Sequence, residues 1–415
     1  MKRQLSAQSA YHSLELSPGE EQNVIVDVAS ILHRTLALEA EFRRQGSQVN
    51  HKQWKKVNSI DDFHVYKQRK MANNDPQRET FVEEDISAPQ LMSMREHLSK
   101  RSSEISLFPD DLEHTTTSTI SSGSSNCDES HVPNIMCSGM VDGRLEDFMY
   151  GVYDGDDMAW KVRTAYIKDK FADARILATI RAPTHDDPFR FLGIKWFSTE
   201  YPPLVGTFIQ KRDVLVMEAT GIAKDDNGVP FGYYVMHDFH HPRLPERKDL
   251  GVVRIKFNLC FINRQIKPDR IGQYARGHVD FGGELPASMG VSITAISLAS
   301  TANSVETAYL KKLAWLMTQQ QSQRRMTHDR HAPRAPSVCH SCQKSSSGIL
   351  SRGLTNCHVC SQPFCSKCTV EKKLVVDTIA TQLTLKPLSF CFGCVLKAKQ
   401  LHPVEMARAT NVHHR

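Results

Sequence analysis

The chain has 415 residues, of which 40% are hydrophobic and 8% aromatic, and it carries a formal net charge of +6. This length exceeds the usual size of one domain, so we expect two domains joined by a linker, with enough apolar material for a buried core. The basic N-terminal residues are followed by no apolar stretch, and no apolar run approaches the ~18 residues of a membrane span, so neither a secretory signal nor a transmembrane helix is predicted. The expected location is cytoplasmic, where paired cysteines hold metals more often than they form disulfides.

Charge is distributed unevenly along the chain. Residues 337–402 contain eight Lys or Arg and two acidic residues, a net charge of +6, whereas the rest of the chain is balanced. Residues 71–134 contain four basic and twelve acidic residues, a net charge of −8. A basic module predicts an anionic partner, such as phospholipid head groups or nucleic acid.

Sequence patterns in the N-terminal third of the chain predict one long helix, one strand and one disordered segment. Ser17 and Glu20 form a capping-box pattern around Pro18, and apolar residues at helical spacing follow as far as Gly46, so a helix is predicted over 17–46. Residues 61–70 alternate like a strand. Residues 71–133 are rich in Ser, Thr and acidic residues and almost free of aromatics, which predicts a disordered acidic insertion.

Order is predicted to resume at residues 134–143. Two short helices follow, the second beginning near Asp156 and Asp157, and then comes a series of strand-like runs at 175–182, 189–198, 204–210, 214–223, 230–239, 252–264 and 273–282. A closing helix over 302–321 precedes a polar linker at 322–336. Its apolar face is Val305, Tyr309, Leu313, Leu316 and Met317. This order predicts an α+β domain. A curved sheet folded around a helix would leave space between them for an apolar ligand. The alternative is a solid core filled by Phe, Trp and Leu side chains.

Three stretches of this region carry a family resemblance. The chain resembles START and START-like domains, which have the helix-grip fold, over residues 17–321 with 71–133 inserted. The stretches that carry the resemblance are "CSGMVDGRLEDFMYGV", "PTHDDPFRFLGIKWF" and "RDVLVMEATGIAKDDNGVPFGYYVMHDF". The resemblance implies a curved antiparallel sheet, a C-terminal helix, and a cavity between them that holds one lipid or sterol, with no enzymatic activity. The apolar face of the closing helix would then be the inner surface of the cavity lid, although ordinary core packing would explain the same residues.

The last 80 residues contain four CxxC pairs. Their intervals are C-x2-C-x14-C-x2-C-x4-C-x2-C-x22-C-x2-C, formed by Cys339, Cys342, Cys357, Cys360, Cys365, Cys368, Cys391 and Cys394. Each CxxC turn can present two thiolates to one metal and Zn²⁺ takes four ligands, so eight thiols predict two closed zinc sites. Metal binding would supply on the order of 10 kcal/mol of folding free energy per ion, because so short a segment has little core.

The four-residue gap between the second and third pairs, with Phe364 before Cys365, resembles the FYVE-type zinc finger. In that family the pairs interleave in a cross-brace. The resemblance therefore implies one zinc at Cys339, Cys342, Cys365 and Cys368 and a second at Cys357, Cys360, Cys391 and Cys394. His340 and His358 lie inside CxxC turns and are expected at the surface, since eight cysteines already fill both sites.

The sequence departs from the FYVE motifs that grip phosphatidylinositol 3-phosphate. The WxxD motif is absent. The sequence "RGLTNCHVC" occupies the place of the expected basic run, and "SFC" occupies the place of the RVC motif. Arg352 is therefore the one basic residue near the expected pocket. A phosphomonoester needs several converging donors. Ile349 and Leu350 form an apolar loop suited to a bilayer interface or, equally, to a protein partner. The lysines expected to meet anionic lipid are Lys372, Lys373, Lys397 and Lys399.

These features predict a non-enzymatic, cytoplasmic protein in which a lipid-binding START-like domain (17–321) is joined to a two-zinc FYVE-like finger (337–402). It would associate peripherally with anionic membranes of the endosomal type, and no nucleic-acid partner is expected. One alternative is a protein-interaction adaptor with a solid core, in which the finger binds protein. Another is a RING-like ubiquitin ligase, which the all-cysteine ligand set disfavours.

Overall fold

The structure is a computed structural model that describes residues 11, 13–69, 133–167, 171–199, 210–327, 338–345, 353–376 and 383–412. The predicted insertion at 71–133 and the strand predicted at 204–210 lie almost entirely outside these ranges. The elements of the larger domain are α1 (Pro18–Arg44), β1 (Trp54–Ile60), β2 (Phe63–Gln68), β3 (Ile135–Asp142), α2 (Leu145–Val152), α3 (Asp157–Ile167), β4 (Phe171–Arg181), β5 (Phe191–Thr199), β6 (Arg212–Lys224), β7 (Pro230–Asp238), β8 (Val253–Lys267), β9 (Arg270–Asp280), α4 (Ala287–Ala299) and α5 (Ser304–Thr327).

Helix α1 begins where the capping box predicts. The Ser17 hydroxyl accepts a hydrogen bond from the backbone N–H of Glu20, and the Glu20 carboxylate accepts one from the backbone N–H of Ser17 at 2.7 Å. These bonds satisfy two of the donors that a helix leaves unpaired at its start. The helix ends before Gly46, which has a φ of 74°, a left-handed conformation that glycine adopts without a steric penalty.

The strands form one antiparallel sheet of nine members in the order β1-β2-β3-β9-β8-β7-β6-β5-β4. A short parallel pairing of residues 212–214 with 253–255 is the exception to the antiparallel pattern. Strand β2 is the strand predicted at 61–70, whereas its hairpin partner β1 was not predicted. The turn predicted at 224–230 joins β6 to β7, with Gly228 in the left-handed region.

Each face of the sheet is covered by helices. Helix α1 covers one face, where its apolar stripe, including Val28 and Leu32, packs on residues of β4 to β8 such as Ile194 and Tyr233. Helices α2 to α5 cover the opposite face and form a second cluster with the sheet. The predicted closing helix is longer than expected, because α5 continues to Thr327, and α4 before it was not predicted.

Helices α2 and α5 pack in unusually close contact. A Cβ atom at Gly151 in α2 would lie 1.8 Å from the backbone oxygen of Ser304 at the start of α5. No larger side chain fits there, so glycine at this position brings the two helices together. Across the described residues, no helix combines the length and the apolar character that crossing a bilayer requires.

The cysteine module follows α5. It comprises two small antiparallel pairs, β10 (Thr355–Asn356) with β11 (Pro363–Phe364) and β12 (Thr369–Val375) with β13 (Leu385–Cys391), and helix α6 (Phe392–Gln400). A last helix, α7 (Pro403–Asn411), was not predicted. It packs Met406 and Ala407 into the core of the larger domain, so the chain returns to that domain after the module.

Candidate metal centres and the domain interface

The first two CxxC pairs lie in tight turns of the same design. The backbone N–H of Cys339 donates to the Lys344 carbonyl at 3.0 Å, and that of Cys357 donates to the Gln362 carbonyl at 3.0 Å. The residue after each pair, Gln343 or Ser361, has a positive φ of 56° or 58°. A residue in the left-handed region reverses the chain sharply, which turns both thiols of a pair toward the same point.

The other two pairs lie at the ends of strands. Cys365 follows β11, and the N–H of Cys368 donates to its carbonyl at 2.9 Å. Cys391 ends β13 and is the N-cap of α6, where its Sγ accepts a hydrogen bond from the N–H of Cys394 at 3.4 Å. The start of a helix therefore positions the fourth pair.

The eight cysteines gather into two groups of four. One group is Cys339, Cys342, Cys365 and Cys368, and the other is Cys357, Cys360, Cys391 and Cys394. Within each group all four Sγ atoms lie within 4.8 Å of one another. The first pair therefore lies with the third and the second with the fourth, and none of the ten described cysteines forms a disulfide.

Each group contains one thiol with a lowered pKa and at least one with a raised pKa. Burial raises the pKa of Cys360 to about 11, and a hydrogen bond with Cys365 together with burial raises the pKa of Cys368 to about 12. A hydrogen bond from Cys394, together with backbone N–H groups, lowers the pKa of Cys357 to about 4. Desolvation raises the pKa of Cys339, but three backbone N–H groups outweigh it and lower this pKa to about 6. Metals bind the thiolate form, and four soft sulfur donors in a closed group suit Zn²⁺. Each group could thus hold one metal ion.

The module packs directly on helix α5. Leu313, Leu316 and Met317 of α5 are buried in one cluster with the interior of the module. The module residues buried in that cluster are Cys339, Cys357, Val359, Phe364, Leu374, Phe390, Cys391, Cys394 and Ala398. One apolar core is therefore shared between the larger domain and the module.

This contact corrects the predicted cavity lid. Of the five lid residues, Val305 is buried in the core of the larger domain and Tyr309 is partly buried at its edge. Leu313, Leu316 and Met317 instead face the cysteine module. Helical spacing places all five residues on one apolar stripe. The N-terminal part of that stripe packs on the larger domain, and the C-terminal part packs on the cysteine module.

Polar contacts reinforce the same interface. Lys372 of β12 donates to Glu306 of α5 at 2.6 Å, and the N–H of Val375 donates to the Tyr166 hydroxyl at 3.4 Å. Lys312 is fully buried, pairs with Asp147 of α2 and donates to the Leu401 carbonyl at 2.6 Å. Its ammonium thus ties α5 both to α2 and to the segment that leaves the module.

The residues predicted to contact membrane have different settings. Ile349, Leu350 and Arg352 lie outside the described residues. Lys373 is exposed, and its contact with membrane stays a prediction. Lys372 is 29% exposed and is paired with Glu306, so it is not the free surface lysine that the sequence suggested.

Charged side chains of β5 and β6 take part in one buried network with Asp154. The fully buried Lys195 ammonium lies 2.6 Å from a carboxylate oxygen of Asp154 and 2.6 Å from one of Glu218. Burial and the Asp154 carboxylate raise the pKa of Glu218 to about 8. Burial also disfavours ionised Asp154, yet Lys195 and Arg163 hold its pKa below its usual value. The network is internally satisfied, as buried charges require.

Sequence reasoning missed two parts of the interface. Tyr166 at the end of α3 partly packs on the module core. In α7, the side chains of Arg408 and Asn411 donate to the backbone carbonyls of His185 and Pro188 at 2.9 and 3.0 Å. Pro403 at the first helical position, with apolar residues at 404, 406 and 407, was a signal for α7 in the sequence.

Among known proteins, similarity to this chain is found in solved structures and not in family models or curated sequences. No family model and no curated relative matches the chain. The fold is similar to human STARD10 (14% identity, 71% of this chain and 88% of that chain, TM-score 0.36) and to human StAR-related lipid transfer protein 5 (15% identity, 68% and 96%, TM-score 0.37). It is also similar to the lipid transfer and protein localization domain of human StarD13 (12% identity, 65% and 96%, TM-score 0.34). TM-scores below 0.5 do not establish membership of a family.

Proposed function

We propose that this chain is a non-enzymatic lipid-binding protein, with a START-like larger domain and a FYVE-like module that holds two zinc ions and associates with anionic membranes. The observation that carries the proposal is the arrangement of layers. A nine-stranded antiparallel sheet has the long helix α1 on one face and the helices α4 and α5 on the other. The START resemblance implies this order, and the ligand in that family lies between the sheet and the C-terminal helix.

The zinc part of the proposal is supported by the donor set. Eight thiols in two closed groups leave no ligand position for a substrate, so the metals would be structural. The bound ions would hold β11, β13 and the start of α6 in place, and with them the module surface that packs on α5. A peripheral location on cytoplasmic membranes belongs to the same proposal, because the module carries a net charge of +6.

The experiment for the larger domain is extraction of the purified full chain followed by lipid mass spectrometry. We expect one lipid or sterol class to co-purify in near-stoichiometric amount. A zinc protein without a lipid-binding domain, purified from the same host in parallel, is the control for adventitious lipid. Recovery of no lipid above that control would contradict the lipid-binding proposal.

A protein-interaction adaptor is the second candidate, and one observation favours it. The face of the sheet under α2 to α5 is packed with buried aromatic side chains, including Phe148, Trp160 and Phe261. A core filled in this way is what the adaptor alternative predicts. The same extraction separates the candidates, because an adaptor with a solid core yields no bound lipid while its zinc content is unchanged.

A further inference from the structure

Helix α6 carries two large apolar side chains that the fold does not bury. Phe392 and Leu396 are 56% and 55% exposed. They are four residues apart and therefore lie on one face of the helix, one turn from each other. The opposite face packs inward, since Cys394 and Ala398 belong to the core shared with α5. The exposure of the pair thus follows from the helix period and from the anchoring of the other face.

The surroundings of this pair are basic. Lys397 and Lys399 lie in the last turn of α6 and are exposed. Helix α6 contains no acidic residue, and residues 337–402 as a whole carry a net charge of +6. An apolar pair beside lysines with no acidic counterpart in the helix is complementary to an anionic surface.

A cleft lined by three basic and two acidic side chains includes Lys399 of α6. It has a volume of about 770 Å³, opens to solvent, and is lined by Asp142, Gly143, Lys267, Asp269, Arg270, Tyr309 and Lys399. Arg270 is already paired with Asp62 and Asp142. The Lys399 ammonium lies 4.8 Å from the centre of the Tyr309 ring and has no carboxylate partner among the described residues. It can therefore meet an anion without breaking an ion pair.

The size of the patch identifies its occupant. A stable protein interface buries on the order of 800 Å² on each partner, which is far more than two side chains offer. A bilayer needs only a few apolar groups that enter the interface while lysines stay at the level of the head groups. A membrane surface therefore fits this patch better than a folded protein does.

We infer that the exposed face of α6, formed by Phe392, Leu396, Lys397 and Lys399, is a docking surface for bilayers that contain anionic phospholipid. This surface is separate from the apolar loop at residues 349–350, and the inference rests on the proposed membrane association. Phe392 and Leu396 enter the interfacial region and the lysines lie among the lipid phosphates. Because Phe392 directly follows Cys391, a metal ion bound at Cys391 would fix the backbone beside the inserting side chain.

Sedimentation of the full chain with vesicles of phosphatidylcholine and phosphatidylserine tests the inference. The double variant Phe392→Ser/Leu396→Ser should lower the vesicle partition coefficient by about tenfold or more, because it removes the apolar part of the contact. The matched control is Met289→Ser/Ile296→Ser on α4, which removes an exposed apolar pair (45% and 67% exposed) from a helix without Lys or Arg. The control should bind as the unmodified chain does. Zinc content shows whether each variant keeps its module folded.

A second measurement is independent of any loss of binding. In Phe392→Trp, lipids brominated on the acyl chain should quench the new fluorescence. The four tryptophans of the unmodified chain should be quenched less, because Trp54, Trp160 and Trp196 are buried and Trp315 on α5 is partly buried. If the unmodified chain binds vesicles but Phe392→Ser/Leu396→Ser binds equally, the inference is wrong and membrane association stands. If the unmodified chain does not bind these vesicles, the inference and the membrane part of the proposed function both fail.

Discussion

The ammonium of Lys372 in the cysteine module lies 2.6 Å from a carboxylate oxygen of Glu306 in α5. The two side chains are 29% and 45% exposed, and pairs as accessible as this contribute little, typically about 0.2–1 kcal/mol. The buried cluster around Leu313, Leu316 and Met317 removes much more apolar surface from water. The apolar cluster therefore holds the module in place, and the ion pair adds little to the stability of the contact.

Substitutions at the interface should separate these two contributions. Leu313→Ala should lower the free energy of unfolding by about 2–5 kcal/mol, since it leaves a cavity in the shared core. Glu306→Gln should lower it by less than about 1 kcal/mol. Chemical denaturation of both variants measures the difference, and equal effects would mean that the ion pair is the main contact.

Metal content provides the second prediction. The full chain should bind two zinc ions, and Cys360→Ser should lower the metal content and unfold the module, because it removes one ligand of a closed group. Cys260→Ser is the matched control: this thiol is buried in the sheet core, where burial raises its pKa to about 12. Elemental analysis should find two ions per chain in the control. One ion or none in the unmodified chain would contradict the prediction.

The buried network around Lys195 gives a pH-dependent prediction. Lys195→Met should cost about 3–5 kcal/mol, since it leaves Asp154 and Glu218 buried without their shared cation. Glu218→Gln should cost much less at neutral pH, where the raised pKa of about 8 keeps the Glu218 carboxyl protonated in the folded chain.

The sign of the pH effect follows from that raised pKa. Between the usual value of 4.5 and about 8, the folded chain binds the Glu218 proton and the unfolded chain does not, so the contribution of this group to stability falls as the pH rises through that window. The stability of Glu218→Gln relative to the unmodified chain should therefore increase as the pH is raised from 5 to 8.5. Denaturation at both pH values measures it, and a difference independent of pH would show that the carboxyl is not shifted.

Deletion of residues 75–130 should leave the larger domain folded. Strands β2 and β3, on either side of this segment, pair directly, with Lys67 opposite Ile135 and the N–H of Gln68 donating to the Asn134 carbonyl at 2.8 Å. The ends of the segment therefore meet, and a short connection can join them at little entropic cost. The melting temperature should change by no more than a few degrees; a larger fall would show that the segment contributes to the core.

The sequence by itself determined the local features of this protein. Ser17, Pro18 and Glu20 specify the start of α1 because the capping bonds join residues that are neighbours in the chain. Alternation and turn residues located most strands of the sheet, and the four CxxC pairs indicated two metal sites. The charge excess of residues 337–402 is likewise a property of composition alone.

Only the tertiary structure decided which surface meets which. The stripe from Val305 to Met317 is equally apolar whether it faces a lipid, a core or another module, and the fold divides it between the larger domain and the cysteine module. The fold likewise pairs Lys372 with Glu306, 66 residues away, and leaves Phe392 and Leu396 in solvent. Periodicity shows that a residue belongs to an apolar face, but the partner of that face depends on contacts between residues that are distant in the chain.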